Sequence, residues 1–182
     1  MKIKVGVMGG SVEEIDDALR TRSRLLGQVL AEQNVVLLTG ATTGVVYLVG
    51  RAAHESGAFH IGISPAENLS EHSQRYHLPT DACDSLIFTG FGLKGRNVVL
   101  VRSCDVVLFI SGAMGSLNEF TIAHDEGKIM GCLKGTGGVA DEADYLLKNF
   151  SKQTGAEVFQ DEDPKKLISA CLMALSRKSK TT

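Results

Sequence analysis

The sequence predicts an α/β fold: a single-domain, doubly wound, mostly parallel sheet with helices on both faces. Two features carry that expectation. Short β-branched runs alternate with segments of helical apolar spacing along the whole chain. The runs themselves are nearly continuous in apolar residues, as Val106-Val107-Leu108-Phe109-Ile110 shows, and burial on both faces of a sheet demands that pattern. A chain of 182 residues is enough for one domain that buries roughly 70% of its unfolded surface.

The elements follow in order. Ile3 to Met8 forms a first strand that ends in Gly9-Gly10-Ser11, and a helix over 13–33 opens with Ser11-Val12-Glu13-Glu14, a capping-box pattern. Val35 to Thr39 is the second strand, followed by a helix over 43–57, and His60 to Ser64 is the third. The longest irregular stretch, Pro65 to Asp84, holds Glu67, His72, Arg75 and His77; its length marks either a functional loop or a polar insertion covering one edge. Ser85 to Thr89, a helix over 95–104, Asp105 to Ser111 and a helix over 115–127 come next. Ile129 to Leu133, a helix over 141–150, the weaker strand Ala156 to Gln160 and a helix over 164–177 complete the pattern. Residues 1–176 read as one nucleotide-binding domain and 177–182 as a polar tail.

Composition removes several functions. With 19 basic and 21 acidic residues the net charge is -2, so no basic surplus exists to displace counterions from a phosphate backbone. Trp is absent and aromatics are 5%, too few for base-stacking platforms, so nucleic acid is not an expected partner. No apolar run reaches the ~18 residues of a membrane span. The cysteines Cys83, Cys104, Cys132 and Cys171 are scattered without a CxxC pair, as free thiols of a reducing cytoplasm are. His54, His60 and His124 lack ligand spacing and read as surface or partly buried structural residues, so neither a metal nor a cofactor is expected.

In an open α/β sheet, ligands sit beyond the carboxyl ends of the strands, which directs attention to four loops. Gly9, Gly10 and Ser11 allow close backbone approach. Gly40, Ala41, Thr42, Thr43 and Gly44 place amides and hydroxyls where phosphate or sugar oxygens can be held. Lys94 and Arg96, beside Asn97, fall at a helix N-terminus, where a cation faces the positive end of the dipole and asks for an anionic partner. The richest loop is Ser111-Gly112-Ala113-Met114-Gly115-Ser116-Leu117-Asn118-Glu119: a buried strand ends, glycines turn the chain and a helix begins with free amides, an anion site. Glu119 stands three residues after Ser116, so it either closes a second capping box or offers a carboxylate to a bound ligand.

These residues resemble the Lonely Guy family of nucleoside 5'-monophosphate phosphoribohydrolases and its wider circle of Rossmann-like proteins, which includes molybdenum-cofactor carriers. The family signature is Pro-Gly-Gly-x-Gly-Thr-x-x-Glu after a buried strand, with an essential arginine fifteen residues before the proline. Here the nonapeptide is Ser111 to Glu119, and Arg96 precedes Ser111 by fifteen residues. Residues 39–44 resemble the family's second glycine-rich loop. The departures are Ser111 for Pro, Ala113 for Gly, Ser116 for Thr and Asn97 for the basic residue that commonly follows the arginine. Arg96-Asn97 and Ile122-Ala123 look more like the carrier branch, whose members bind a phosphorylated ligand without necessarily cleaving it. Ala113, if it adopts positive φ, carries strain of order 1 kcal/mol and reshapes the loop.

The resemblance implies two functions. In the first, Glu119 faces an oxocarbenium-like centre and Arg96 positions carboxylate or substrate, while amides of Gly112, Ala113, Met114, Gly115 and Ser116 hold the 5'-phosphate during hydrolysis to free base and ribose 5-phosphate. In the second, the same pocket carries or senses a nucleotide or phosphorylated pterin without turnover. A single-stranded-DNA-handling relative of the fold is disfavoured by charge and aromatic content. The resemblance also implies a homodimer, for which the apolar helix Val98 to Cys104 is a shared or internally buried element.

Overall fold

The computed structural model describes residues 1–11 and 15–179. Seven strands form one parallel sheet: β1 (Ile3–Gly9), β2 (Val35–Thr39), β3 (Phe59–Ser64), β4 (Ser85–Phe88), β5 (Val106–Ile110), β6 (Ile129–Leu133) and β7 (Glu157–Asp161). Their order is β4-β3-β2-β1-β5-β6-β7, and every neighbouring pair is parallel. The chain therefore walks outward from β1 to β4, returns to β5 on the other flank of β1, and walks outward again. That reversal places a topological switch point between β1 and β5, whose register runs from Val5 opposite Val106 to Gly9 opposite Ile110.

Right-handed crossovers walking in opposite directions put helices on opposite faces. On one face α1 (Asp17–Ala31), α2 (Val45–Glu55) and α7 (Pro164–Lys178) cover Val5, Val7, Leu37, Leu108 and Ile110. On the other, α3 (Gly92–Ser103), α4 (Met114–Asp125), α5 (Gly138–Asp141) and α6 (Ala143–Phe150) cover Met8, Leu38, Val107, Phe109, Met130 and Cys132. All five residues of β5 and of β6 are buried, as the continuous apolar runs demanded. Two cores thus clamp the sheet and fix its carboxyl edge.

Three local expectations are corrected. Helix α1 starts at Asp17, and its N-cap is Asp16, whose carboxylate accepts from the Leu19 amide at 2.7 Å; Ser11 lies well before that cap, and Glu14 lies outside the described residues. The stretch 65–84 contains a helical turn, Glu71–Arg75, secured by the buried His72, which bonds Ser64 Oγ at 2.8 Å and the Pro79 carbonyl at 3.0 Å. Helix α7 continues through 177 and 178, where Lys178 Nζ donates to the carbonyls of Gly127 and Gly155. Among the described residues no helix is long and apolar enough to cross a membrane. All four cysteines are free thiols, and burial pushes Cys104, Cys132 and Cys171 up to about 12, which leaves them unreactive.

Candidate functional site

Because every strand is parallel, loops 9–11, 39–44 and 111–113 and the start of α3 stand along one edge. Close contacts tie them together. The Val45 amide donates to the Gly10 carbonyl at 3.1 Å, joining the first loop to the second. Gly44, at φ 80, lies so near this strand end that a Cβ would sit 2.5 Å from the Gly10 oxygen. Gly40 abuts the Arg96 guanidinium, which a Cβ would meet at 2.1 Å, so the absent side chain is the space the arginine occupies. Arg96 Nη1 in turn donates to Glu119 Oε1 at 3.4 Å.

Arg96 and Glu119 are only 5% and 6% exposed, so both charges have left water. Burial pulls the guanidinium below its ordinary value and pushes the Glu119 carboxyl up to about 7, opposed by the positive charges of Arg96 and Lys94. Among the described residues, Arg96 Nε is buried without a hydrogen-bond partner. A buried guanidinium with one long contact and one idle donor is under-satisfied, a state that ordinarily costs more than 1 kcal/mol. Asn97 lies beside the pair: in one amide orientation its Nδ2 donates to Asn118 Oδ1 at 2.9 Å, and in the turned orientation it donates to Glu119 Oε1 at 3.1 Å and to the Leu93 carbonyl at 3.0 Å.

The capping-box alternative for Glu119 is ruled out by helix register. α4 begins at Met114 with Ala113 as N-cap, no side chain caps it, and Glu119 sits in its second turn against Arg96. The first intrahelical bond is Leu117 N to the Ala113 carbonyl at 2.9 Å, which leaves the amides of Met114, Gly115 and Ser116 without helical acceptors. A Cβ on Gly115 would meet nothing within 4 Å, so the helix end opens onto free space.

The expected strain is displaced as well. Ala113 has φ -118; the left-handed residues are Ser111 at φ 54 and Gly112 at φ 112. Proline, locked near φ -65°, cannot take the Ser111 conformation, which gives a physical reason for the departure from the signature at that position. The unusual turn is held from a loop that the sequence reading passed over. The Ser111 amide donates to Thr136 Oγ1 at 2.9 Å, and the amides of Val139 and Ala140 donate to the Gly112 and Ser111 carbonyls at 3.0 and 3.1 Å. The signal was present in Gly135-Thr136-Gly137-Gly138, which follows a strand just as the other four loops do.

Other predicted residues stand apart from the pair. Ser11, Thr43 and Met114 are exposed at the rim, and Thr42 lines a small cavity with His60. His60 is fully buried rather than partly so: Nε2 meets Thr39 Oγ1 at 2.8 Å, Nδ1 meets the Ala82 carbonyl, and burial pushes the imidazole down to about 4. The neutral ring positions Thr39, whose oxygen accepts from the Ala41 amide at 3.3 Å and steadies loop 39–44. Among the described residues no group of His, Cys, Asp and Glu is placed to hold a metal ion.

Glu119 gives stability a pH signature. Its folded value, about 7, is above the unfolded 4.5, so its contribution is complete below about pH 4.5 and is lost as pH rises through 7. Urea unfolding of wild type and Glu119→Gln should show a stability difference that moves against wild type by on the order of 1–3 kcal/mol between about pH 4.5 and 7.5. A difference that stays flat would mean that Glu119 titrates as an ordinary carboxylate.

Comparison with known proteins agrees with this architecture. An uncharacterized protein of Archaeoglobus fulgidus is 30% identical over 132 residues, covering 72% of this chain and 80% of that one. The molybdenum cofactor binding protein of Rippkaea orientalis superposes with a TM-score of 0.79 at 27% identity, covering 96% of this chain and 98% of that one. The structure of TM1055, a structural-genomics target, gives 0.82 at 26% identity, covering 94% and 99%. The resemblance to the Lonely Guy circle and its molybdenum-cofactor-carrier branch therefore holds. The model of the SLOG cluster4 family matches residues 2–168, spanning both halves of the sheet and every loop of the carboxyl-edge crevice, and the chain belongs to that family.

Proposed function

We propose that the chain binds a small phosphorylated ligand, a pterin or a nucleoside 5'-monophosphate, in the crevice at the β1/β5 switch point and carries it. The observation that supports this reading most is the under-satisfied Arg96, held against Glu119 of the helix whose first amides, those of Met114, Gly115 and Ser116, lack helical acceptors. A phosphoryl group at the helix end gains those amides and the dipole, and its sugar or ring extends toward Arg96 and Glu119. The likeness to a molybdenum cofactor binding protein favours a phosphorylated pterin as cargo.

Hydrolysis of a nucleoside monophosphate is a second reading, favoured by Glu119 alone: a buried carboxylate with a value of about 7, aligned by an arginine, is suited to stabilise developing positive charge. The expected homodimer also stands as a proposal. Leu100 and Val101 of α3 and the following Cys104 are consumed by the internal core, whereas Leu93 and Val98 remain exposed for a second copy.

Mass spectrometry of small molecules released from the purified protein, paired with amide NMR during titration with AMP, tests the binding reading. A phosphorylated compound in the released fraction, or saturable shifts at Gly112 to Ser116, is expected. Absence of both at millimolar ligand would remove it.

A further inference from the structure

A second feature lies away from the carboxyl-edge crevice, on the face that α1 and α2 cover. Gly27 brings these helices into backbone contact: a Cβ there would sit 2.4 Å from the Val49 carbonyl oxygen. The longer side chains flanking that line stand over an open groove of about 630 Å³. Arg20, Arg24 and Gln28 of α1 form one wall; Tyr47, Arg51 and Glu55 of α2 form the other. Each set is spaced i, i+4, i+8, which stacks its members on a single helix face.

The two walls differ in charge balance. On α2, Arg51 Nε donates to Glu55 Oε1 at 2.7 Å and Nη1 donates to the Tyr47 hydroxyl at 3.2 Å, while that hydroxyl donates to Asp81 Oδ2 at 3.1 Å. The groove-facing arginines of α1, Arg20 and Arg24, have no comparable bonds among the described residues. Among the described residues the Arg24 side chain has no hydrogen bond or ion pair, and the Arg20 guanidinium has only a 3.5 Å contact to the Ile15 carbonyl. Two like charges one turn apart disfavour their own helix slightly, and the overall charge of -2 makes this a local reversal of sign.

We propose that this groove binds a polyphosphate anion, one with two or more linked phosphoryl groups. Guanidinium forks match phosphoryl oxygens bidentately, and forks one turn apart, about 5.4 Å along the axis, reach different phosphoryl groups of one extended anion. A single tetrahedral anion engages them one at a time. Arg51 closes the groove from across, and the Glu55 carboxylate marks the end that an anion avoids. The chemistry is shared by free polyphosphate and the phosphate chain of a nucleoside triphosphate. The proposal does not depend on what fills the β1/β5 crevice.

The test is NMR of the full chain, reading amides and arginine Nε signals, during titration with tripolyphosphate, ATP and sulfate at matched ionic strength. Saturable shifts at Arg20, Arg24, Gln28 and Arg51 are expected, with tripolyphosphate bound at least about tenfold more tightly than sulfate. The double variant R20Q/R24Q should weaken that binding about tenfold or more, and R24Q alone by less, while residues 111–116 respond as in wild type; thermal melts establish that both variants are folded. ATP tighter than tripolyphosphate assigns a nucleotide as the source, and equal affinity assigns the phosphate chain alone; either supports the proposal. Equal affinity for sulfate and tripolyphosphate, no saturable shift on α1 and α2 at millimolar anion, or full binding by R20Q/R24Q would overturn it.

Discussion

Glu119→Gln should lower any release of ribose 5-phosphate from nucleoside monophosphates by about 10²-fold or more while leaving ligand affinity within a few-fold of wild type. The asymmetry follows from where Glu119 sits. It does not cap α4, so the helix loses no terminal bond, and a glutamine oxygen can still accept from Arg96 Nη1 across the present 3.4 Å. What disappears is the negative charge, and only a reaction that develops positive charge responds to that loss. Arg96→Ala is the harsher change, because it leaves Glu119 buried without its counter-charge, at a cost of roughly 3–5 kcal/mol. Rates for wild type and both variants across a panel of nucleoside monophosphates decide between the readings. Release by wild type that collapses in Glu119→Gln establishes hydrolysis; absence of release from every substrate, with binding intact, leaves the carrier.

The second large effect is expected at Gly138, the first residue of α5. Its φ is 56, and an added Cβ would lie 2.0 Å from the Gly112 carbonyl oxygen and 2.9 Å from the Gly112 nitrogen. Those are backbone atoms of the left-handed turn, so no side chain can swing aside. Gly138→Ala must push α5 off the turn and weaken the Val139 and Ala140 amide bonds that hold it. Backbone strain of about 1–3 kcal/mol plus two hydrogen bonds near 1 kcal/mol each gives a loss of roughly 3–5 kcal/mol. For a chain of this size that is a fall in Tm of about 10 °C or more, accompanied by weaker AMP binding at residues 112–116. Gly137→Ala isolates strain from collision, since Gly137 has φ 78 but nothing within 4 Å of a Cβ. Equal melting temperatures for the two variants would show that the turn yields freely.

How much of this was legible in the chain differs element by element. The parallel sheet was written in the sequence because burial on both faces forces continuous apolar runs, and Val106 to Ile110 has no other economical fate. The anion loop and the Arg96–Glu119 relation were legible as a spacing shared with a known signature. Their physical connection was not. Residues 96 and 119 meet because α3 and α4 pack on the same face, a consequence of the chain reversal at β1 and β5 that no local pattern encodes.

The same division explains the corrections. Ser116 and Glu119 have capping-box spacing, but the spacing does not say where the helix starts; the register was decided by the left-handed turn at Ser111 and Gly112, which delivers the chain so that α4 begins at Met114. That turn is held by Thr136, Val139 and Ala140, some 25 residues later in the chain and on another strand's loop. Likewise, nothing local marks Gly40 as the space into which Arg96 folds, or His60 as the post behind Thr39. Composition and periodicity determined the fold and the edge where a ligand would sit, because hydrophobic burial and backbone hydrogen bonding are read residue by residue. Which donors face that edge, which are satisfied and which are left waiting was decided only by tertiary packing, because a buried charge takes its state from neighbours that the chain supplies from far away.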